Sequence, residues 1–308
     1  MNEAAPVAIT GATGFVGQAV LDEAARRGTQ VRALTRREQA AREGVEWVRG
    51  DLTDTDAMER LCDGTAALVH IAGLTSSTDT SAFHAANVEG TQRLLDAASQ
   101  AGTERLVFVS SLAAREPGLS AYGKSKADAE ALVEASGMVW TIVRPPGVYG
   151  PRDVDYFEMF RSAKLGVLPL PPRGASSIIH VRDLARLLLD LVDAQPALVR
   201  KKTFEPDDGR EGGWSHAELA QLIGQAVGRK QVFAPHLPKA LLLAGARIDR
   251  LLRGSKARLT PDRASYMAHP NWVSRFDRKV PDSVWQPEIP GAQGMAQTAE
   301  WYRAEDWL

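Results

Sequence analysis

A chain of 308 residues, 44% hydrophobic and 24% charged, has the make-up of an ordinary globular protein, sized for one large domain or a domain with an appendage. Lysine plus arginine, 37, balances aspartate plus glutamate, 38, for a net charge of −1, which gives no electrostatic case for nucleic acid or an anionic membrane as partner. The single cysteine, Cys62, forms no internal disulfide and reads as a small apolar filler, so a cytoplasmic home is expected.

In chain order, the opening MNEAAP carries no basic or apolar leader, and no signal peptide is expected. Short apolar runs follow at PVAIT (6–10), QVRALT (30–35), VEWVRG (45–50), AALVHIAG (66–73), RLVFVSS (105–111) and MVWTIVRP (138–145). Helical periodicity fills 15–27, 55–62, 82–101 and 121–136 between them. Continuous apolar runs of this length fit strands buried on both faces. Their alternation with helices predicts an α/β fold of Rossmann type, a doubly wound parallel sheet with helices on both faces.

Past residue 150 the rhythm breaks. GVYGPRDVDYF (147–157) and GVLPLPPRGASS (166–177) read as loops over a cleft, and HVRDLARLLLDLVDA (180–194) as a helix. Ser215 and Glu218 form a capping-box pattern ahead of another apolar helical face. LPKALLLAGARIDRLL (237–252) is short of the about 18 apolar residues that span a bilayer and carries four charges. It reads as an amphipathic helix that packs on the body or a partner subunit, in preference to a membrane surface. The C-terminal part is expected to be a small α-rich lobe that completes a substrate pocket.

Three glycines in VAITGATGFVGQAV (7–20), Gly11, Gly14 and Gly17, sit between a strand and a helix. Gly11 permits the tight turn, Gly14 a close approach to pyrophosphate, and Gly17 close helix–strand packing, with the helix N-terminus offering free amides to phosphate. Taken alone, a generic glycine-rich turn would show the same pattern. An acid about 20 residues past the loop would bind the ribose hydroxyls of NAD. Here the second strand ends Thr35, Arg36, Arg37, so NADP(H) is favoured over NAD(H), with Arg36 as the 2′-phosphate clamp; two solvated arginines are the plainer alternative. Further on, SAYGKSK places Tyr122 and Lys126 four apart, on one helical face. The neighbouring ammonium is expected to draw the phenol from its usual pKa of about 10 toward neutrality, as an acid/base requires. A hydroxyl of FVSS at the preceding strand's end faces the ligand crevice. The six histidines (70, 84, 180, 216, 236, 269) show no ligand spacing, and no metal is expected.

These stretches, with GDLTD (50–54), VHIAG (69–73), NVEGT (87–91), RPPGVYGP (144–151) and HVRDLA (180–185), resemble the extended short-chain dehydrogenase/reductase superfamily, in its NAD(P)-dependent epimerase/dehydratase-like branch. The resemblance implies that Tyr122 is the catalytic acid/base, that Lys126 is its partner and also holds the nicotinamide ribose, and that Ser111 bonds the reacting oxygen. It places Asn87 near the nicotinamide side. It gives the cofactor the loop residues Gly11, Thr13, Gly14, Phe15, Val16 and Gly17. Asp51 and Leu52 then flank the adenine, Ala72 and Gly73 line the cofactor backbone, and Pro145 to Val148 pass near the carboxamide. His180 and Asp183 match a motif that fixes the C-terminal lobe. Residues 1–150, with 177–195, become the NAD(P)-binding domain, and 151–176 with 196–308 the substrate lobe. A homodimer through the 82–101 and 121–136 helices is implied.

Only ten residues separate Ser111 from Tyr122, shorter than extended members commonly have, which weakens the case for a nucleotide-sugar substrate. The leading expectation is an NAD(P)-dependent oxidoreductase passing hydride between nicotinamide and a secondary alcohol or ketone of a small or medium-sized substrate. The alternatives are a nucleotide-sugar epimerase or dehydratase with tightly bound NAD, and a non-catalytic NAD(P)-binding regulator or respiratory-complex accessory subunit.

Overall fold

The apolar runs of the first half form strands as their pattern demands. The computed structural model describes residues 5–254, 257 and 259–308; residues 1–4, read above for a leader, lie outside them. In chain order come β1 Val7–Thr10, α1 Phe15–Arg27, β2 Val31–Thr35, β3 Val45–Arg49, α2 Thr55–Cys62, β4 Ala67–His70, α3 Ser81–Phe83, a π-helical turn His84–Glu89, and α4 Gly90–Gln100. Next are β5 Arg105–Val109, α5 Ala121–Ala135, β6 Val139–Val143, β7 Gly147–Tyr149, α6 Asp155–Lys164, β8 Ala175–Ser176, β9 Ile178–His180, α7 Val181–Asp193, α8 Pro196–Val199 and β10 Lys202–Phe204. The chain closes with β11 Trp214–Ser215, α9 His216–Ala226, α10 Lys239–Arg253, α11 Pro261–Met267, β12 Asn271–Trp272 and α12 Gly291–Ala304.

Seven strands make one parallel sheet in the order β10-β6-β5-β4-β1-β2-β3. Val7 stands beside Val31 on one side and Ala67 on the other, so the order reverses at β1. That reversal is the topological switch point where open α/β sheets bind ligands. One face is covered by α1 and α7, whose Val20, Leu21, Leu184 and Leu188 are buried on Ile9 and Val107. The other carries α2, α4 and α5 over Leu68, Leu106 and Phe108.

Two readings of the sequence are corrected beyond residue 150. Lys202–Phe204, assigned to the lobe, is the seventh strand and lies parallel to Thr141–Val143; three residues are too few to show a period. The 147–157 stretch is not all loop. Gly150 and Pro151 break the chain, but α6 then starts where Asp153 accepts the Asp155 and Tyr156 amides, both at 2.9 Å, and buries Phe160 and Ala163.

The lobe packs α6, α9 and α12 around Tyr149, Phe160 and Tyr302, and pairs α10 with α11 over Leu242, Ala246 and Ala264. Asp183 fastens it to α7, accepting the amides of Glu288 and Ile289 at 3.1 and 2.9 Å. Among the described residues, no helix is long and apolar enough to cross a membrane.

Candidate active site

Backbone builds one side of the site. Gly11 has φ +75°, and a Cβ there would lie 2.6 Å from the Ala72 amide nitrogen. That amide donates to Thr10 Oγ1 at 3.2 Å, so the turns after β1 and β4 are locked together at the switch point. At Gly17 a Cβ would overlap the Gly11 carbonyl oxygen. Gly14 is the N-cap of α1 with no side-chain cap and no acid in the first turn, so the first-turn amides of Phe15, Val16 and Gly17 have no upstream carbonyl partner. Thr13 and Gly14 are exposed, while Phe15 and Val16 pack partly on the core. This is a cradle with an open mouth and a positive dipole end, which fits a pyrophosphate.

Arg36 is exposed just past β2. Asp51, beyond β3, lies below the usual carboxylate range because Thr53 donates to it from its hydroxyl and its amide, with the Arg36 guanidinium adding to the effect. Leu52 is turned toward α4, where a Cβ on Gly90 would meet its Cδ1 at 3.0 Å. Pro145 is buried, and its carbonyl accepts the Leu112 amide at 3.2 Å; Val148 pairs with Ile179 between β7 and β9.

Side chains build the other side. The serine pair at the end of β5 divides its work. Ser110 is buried and bonded to Glu130, which Arg144 grips at 2.9 and 2.5 Å. Ser111 faces the other way: its Oγ accepts the Ala113 amide at 3.2 Å, and its hydroxyl lies close enough to the Tyr122 phenol to oppose the rise in that phenol's pKa. Tyr122 is buried at the start of α5, its ring 5.9 Å from Phe83 and 6.0 Å from Tyr266, with Leu74 and Ala113 in the same apolar cluster. Asn87 sits in the π-helical turn, whose extra residue directs it inward. Its amide takes the Leu74 N–H at 2.7 Å and donates to the Leu74 carbonyl and to Ser125 Oγ, both at 2.9 Å. The Lys126 ammonium donates to the Val109 carbonyl at 2.9 Å and lies 4.3 Å over the Phe108 ring. A Cβ on Gly73 would come within 3.1 Å of Asn87 Oδ1 and 3.8 Å of Lys126 Nζ, so Gly73 stands directly beside both side chains.

One electrostatic expectation is corrected. Burial pushes the Tyr122 phenol up to about 12, and the Ser111 hydroxyl opposes the rise. Lys126 does not draw it toward neutrality in this structure, because the ammonium is turned to Val109 and Phe108. Burial also pushes Lys126 itself down to about 8.

Residues 11–195 match the protein family described as NAD(P)H-binding. The chain is 34% identical to the ceramide reductase of Caulobacter vibrioides (strain NA1000 / CB15N), across 98% of this chain and 96% of that one. It belongs to the extended short-chain dehydrogenase/reductase superfamily. This member is also 30% identical to the 2-alkyl-3-oxoalkanoate reductase of Stenotrophomonas maltophilia (strain K279a), across 94% of this chain and 97% of that one. Its fold matches MoeE5 in complex with UDP-glucose and NAD, with a TM-score of 0.73, at 22% identity over 97% and 99% of the two chains. As a short-chain dehydrogenase/reductase it is an NAD(P)-dependent enzyme of the oxidoreductase type.

Sequence reasoning missed the far wall of this site. Asp262 of α11 accepts the Ala121 amide at 2.6 Å and the Tyr122 amide at 3.4 Å, and the ring of Tyr266, on the same helix, packs tilted against Tyr122. Both stand about 140 residues from what they touch, in a seven-residue helix too short to announce itself by period. Tyr156 falls in the 147–157 stretch read as a loop over the cleft; it stands in the first turn of α6 instead, its phenol against Gly147.

Proposed function

We propose that the protein reduces a ketone carried by an apolar, lipid-like substrate, with NADPH as reductant. The observation that carries this reading is the Tyr122–Ser111 pair set among Phe83, Leu74, Ala113 and Tyr266: two hydroxyls able to address one oxygen, in a wall that favours hydrocarbon over a charged sugar nucleotide. The full-length relatives named for ceramide and for 2-alkyl-3-oxoalkanoate reduction support the same substrate class.

The 10–17 loop, Ala72 and Gly73 would hold the cofactor, with Lys126 on its ribose, Asp51 and Leu52 at the adenine, Pro145 to Val148 at the carboxamide, and Arg36 at a 2′-phosphate. Residues 1–150 and 177–195 would thus be the cofactor's share of the chain. The chemistry a nicotinamide supplies when bound is hydride transfer to the carbonyl carbon. Ser111 then donates to the carbonyl oxygen and Tyr122 gives it a proton, so the ketone leaves as a secondary alcohol. A phenol held up by burial is protonated throughout the neutral range, the form that ketone reduction needs. Asn87 acts by positioning, tying Leu74 to the Ser125 hydroxyl on α5.

Tyr122→Phe removes the proton donor and little volume. Turnover of a long-chain β-keto substrate should fall about 10²- to 10⁴-fold, while the thermal shift given by NADPH stays. Near-wild-type turnover would overturn the assignment. NADPH should also stabilise the protein more than NADH; the reverse ranking would overturn Arg36 as clamp. Cofactor retained through purification, with no net NADPH consumption, would favour the epimerase alternative.

A further inference from the structure

The histidine of HVRDLA (180–185) is left over once the lobe is accounted for. Asp183 fastens the lobe through the amides of Glu288 and Ile289, while His180 caps α7, its Nδ1 accepting the Arg182 amide at 3.3 Å. That bond puts the ring proton on Nε2. Burial, with the Arg182 guanidinium adding to it, pushes His180 down to about 4, so the ring is neutral and Nε2 is a donor. His180 is 1% exposed, and its Nε2 has no hydrogen-bond partner. Tyr149 Oη and Gln297 Oε1 are buried without a partner as well. The three stand close together. Tyr149 is beside His180 in the β7–β9 pair, the rings edge to face at 5.4 Å. Its hydroxyl lies against Gly294, one turn before Gln297 on α12. Buried polar groups are nearly always paired, so three unpaired ones in one place point to a ligand.

His180 and Gln297 both line a cavity of ≈ 400 Å³, with Pro151 and Arg182 from the β7 and α7 side and Glu300 and Trp301 from α12. Its volume is many times the about 30 Å³ of a water and lies in the range of small-molecule sites. None of these residues belongs to the 10–17 cradle or to the Tyr122 wall. The two sides carry opposite polarity. Arg182 is exposed beside His180 at the N-terminus of α7, the positive end of that helix. Gln297, Glu300 and Trp301 share one face of α12, where an amide oxygen and an exposed carboxylate offer acceptors. Among the described residues neither Arg182 nor Glu300 has an ion pair. Arg152, next to Pro151, is already paired with Asp22 of α1 at 2.7 Å. We propose that this cavity binds a free α-amino acid with a large apolar side chain, its carboxylate on His180 Nε2 and Arg182, its ammonium on Gln297 Oε1 and Glu300, and its side chain along Trp301. Polarity selects the zwitterion. A simple anion would be set against Glu300 and a simple amine against Arg182, and either would leave one buried polar atom unpaired.

The test is isothermal titration of the full-length protein with L-phenylalanine, with 3-phenylpropionate, which lacks the ammonium, and with phenethylamine, which lacks the carboxylate. L-Phenylalanine should bind, and each analogue should bind about tenfold or more weakly, for the loss of one charge-assisted contact. Arg182→Ala and Glu300→Gln should each weaken L-phenylalanine by a similar factor. Both side chains are exposed, so these variants should melt with the wild type. His180→Asn keeps an acceptor at the start of α7, loses the Nε2 donor, and should weaken binding likewise. If a variant misfolds, the two analogues put the same question to the wild type. No binding of L-phenylalanine, or equal binding by the variants, overturns the proposal. So does 3-phenylpropionate bound as tightly as L-phenylalanine, which would make the cavity a plain anion site. Neither ketone nor cofactor is present in the titration, so failure here leaves the reductase reading standing.

Discussion

The two sides of the cleft are built from different materials. Toward the 10–17 loop, the working parts are backbone amides and missing side chains: Gly11, Gly14, Gly17 and Gly73 make room, and the α1 N-terminus supplies the field. Toward Tyr122, they are side chains brought from Phe83, Ser111 and Tyr266. A cofactor is the same in every turnover, so a rigid local turn suffices for it. A substrate is specific, and its wall is assembled from segments far apart in sequence. If this division is real, substitutions on one side should leave the other's readout untouched.

The largest effect is expected at Gly17. A Cβ there meets the Gly11 carbonyl, which is backbone and has no rotamer to escape into. Gly17→Val should cost about 4 kcal/mol, above the common run of over-packing, and should abolish the NADPH thermal shift. A variant of wild-type stability measured by urea unfolding would show that the loop gives way, and the rigid-cradle argument would fail. Next comes Lys126, at the seam between the two sides. Burial lowers it from 10.5 to about 8, so the unfolded chain binds the extra proton between those values and stability rises with pH across that window. Compared with Lys126→Met, which cannot titrate, the wild type should gain about 3 kcal/mol between pH 8 and 10.5. A difference that is flat with pH would mean the ammonium is solvated. Smaller again is Arg36→Ala, which should narrow the preference for NADPH over NADH about tenfold, the loss of one charge-assisted contact, and leave ketone affinity alone. An unchanged ratio of the two affinities would return Arg36 to a solvated role.

How much of this was legible in the sequence follows the same division. The cradle lies within residues 10–17, where glycine spacing is itself the mechanism, and Tyr122 and Lys126 share a helical face that spacing alone defines. What they do there was less legible. The i, i+4 rule puts phenol and ammonium on one side of α5, yet the ammonium takes the Val109 carbonyl and the phenol lies beside Ser111. The choice between Ser110 and Ser111 is decided by Glu130 and Arg144, which no strand pattern reveals. Tyr266 and Asp262 were invisible because their partners lie across the fold. The β10 strand and the start of α6 were lost for a humbler reason, too few residues to show a period.

Asp262→Ala is the finest probe of the division. The carboxylate sits at the N-terminus of α5, where it satisfies the Ala121 amide and meets the positive end of the helix dipole. Its removal should cost about 1 kcal/mol of stability, the scale of a lost helix cap. Tyr122 is in that first turn, so the fall should also appear in turnover and in KM for the ketone, while the NADPH affinity, which the proposed cradle on the other side of the switch point would set, should stay as it was. Asp262→Asn keeps an acceptor for the Ala121 amide and should recover most of the loss. If NADPH affinity falls together with ketone KM in Asp262→Ala, the cradle and the wall move as one body. The comparison would then give way to a single coupled site whose α11 segment tightens both ligands.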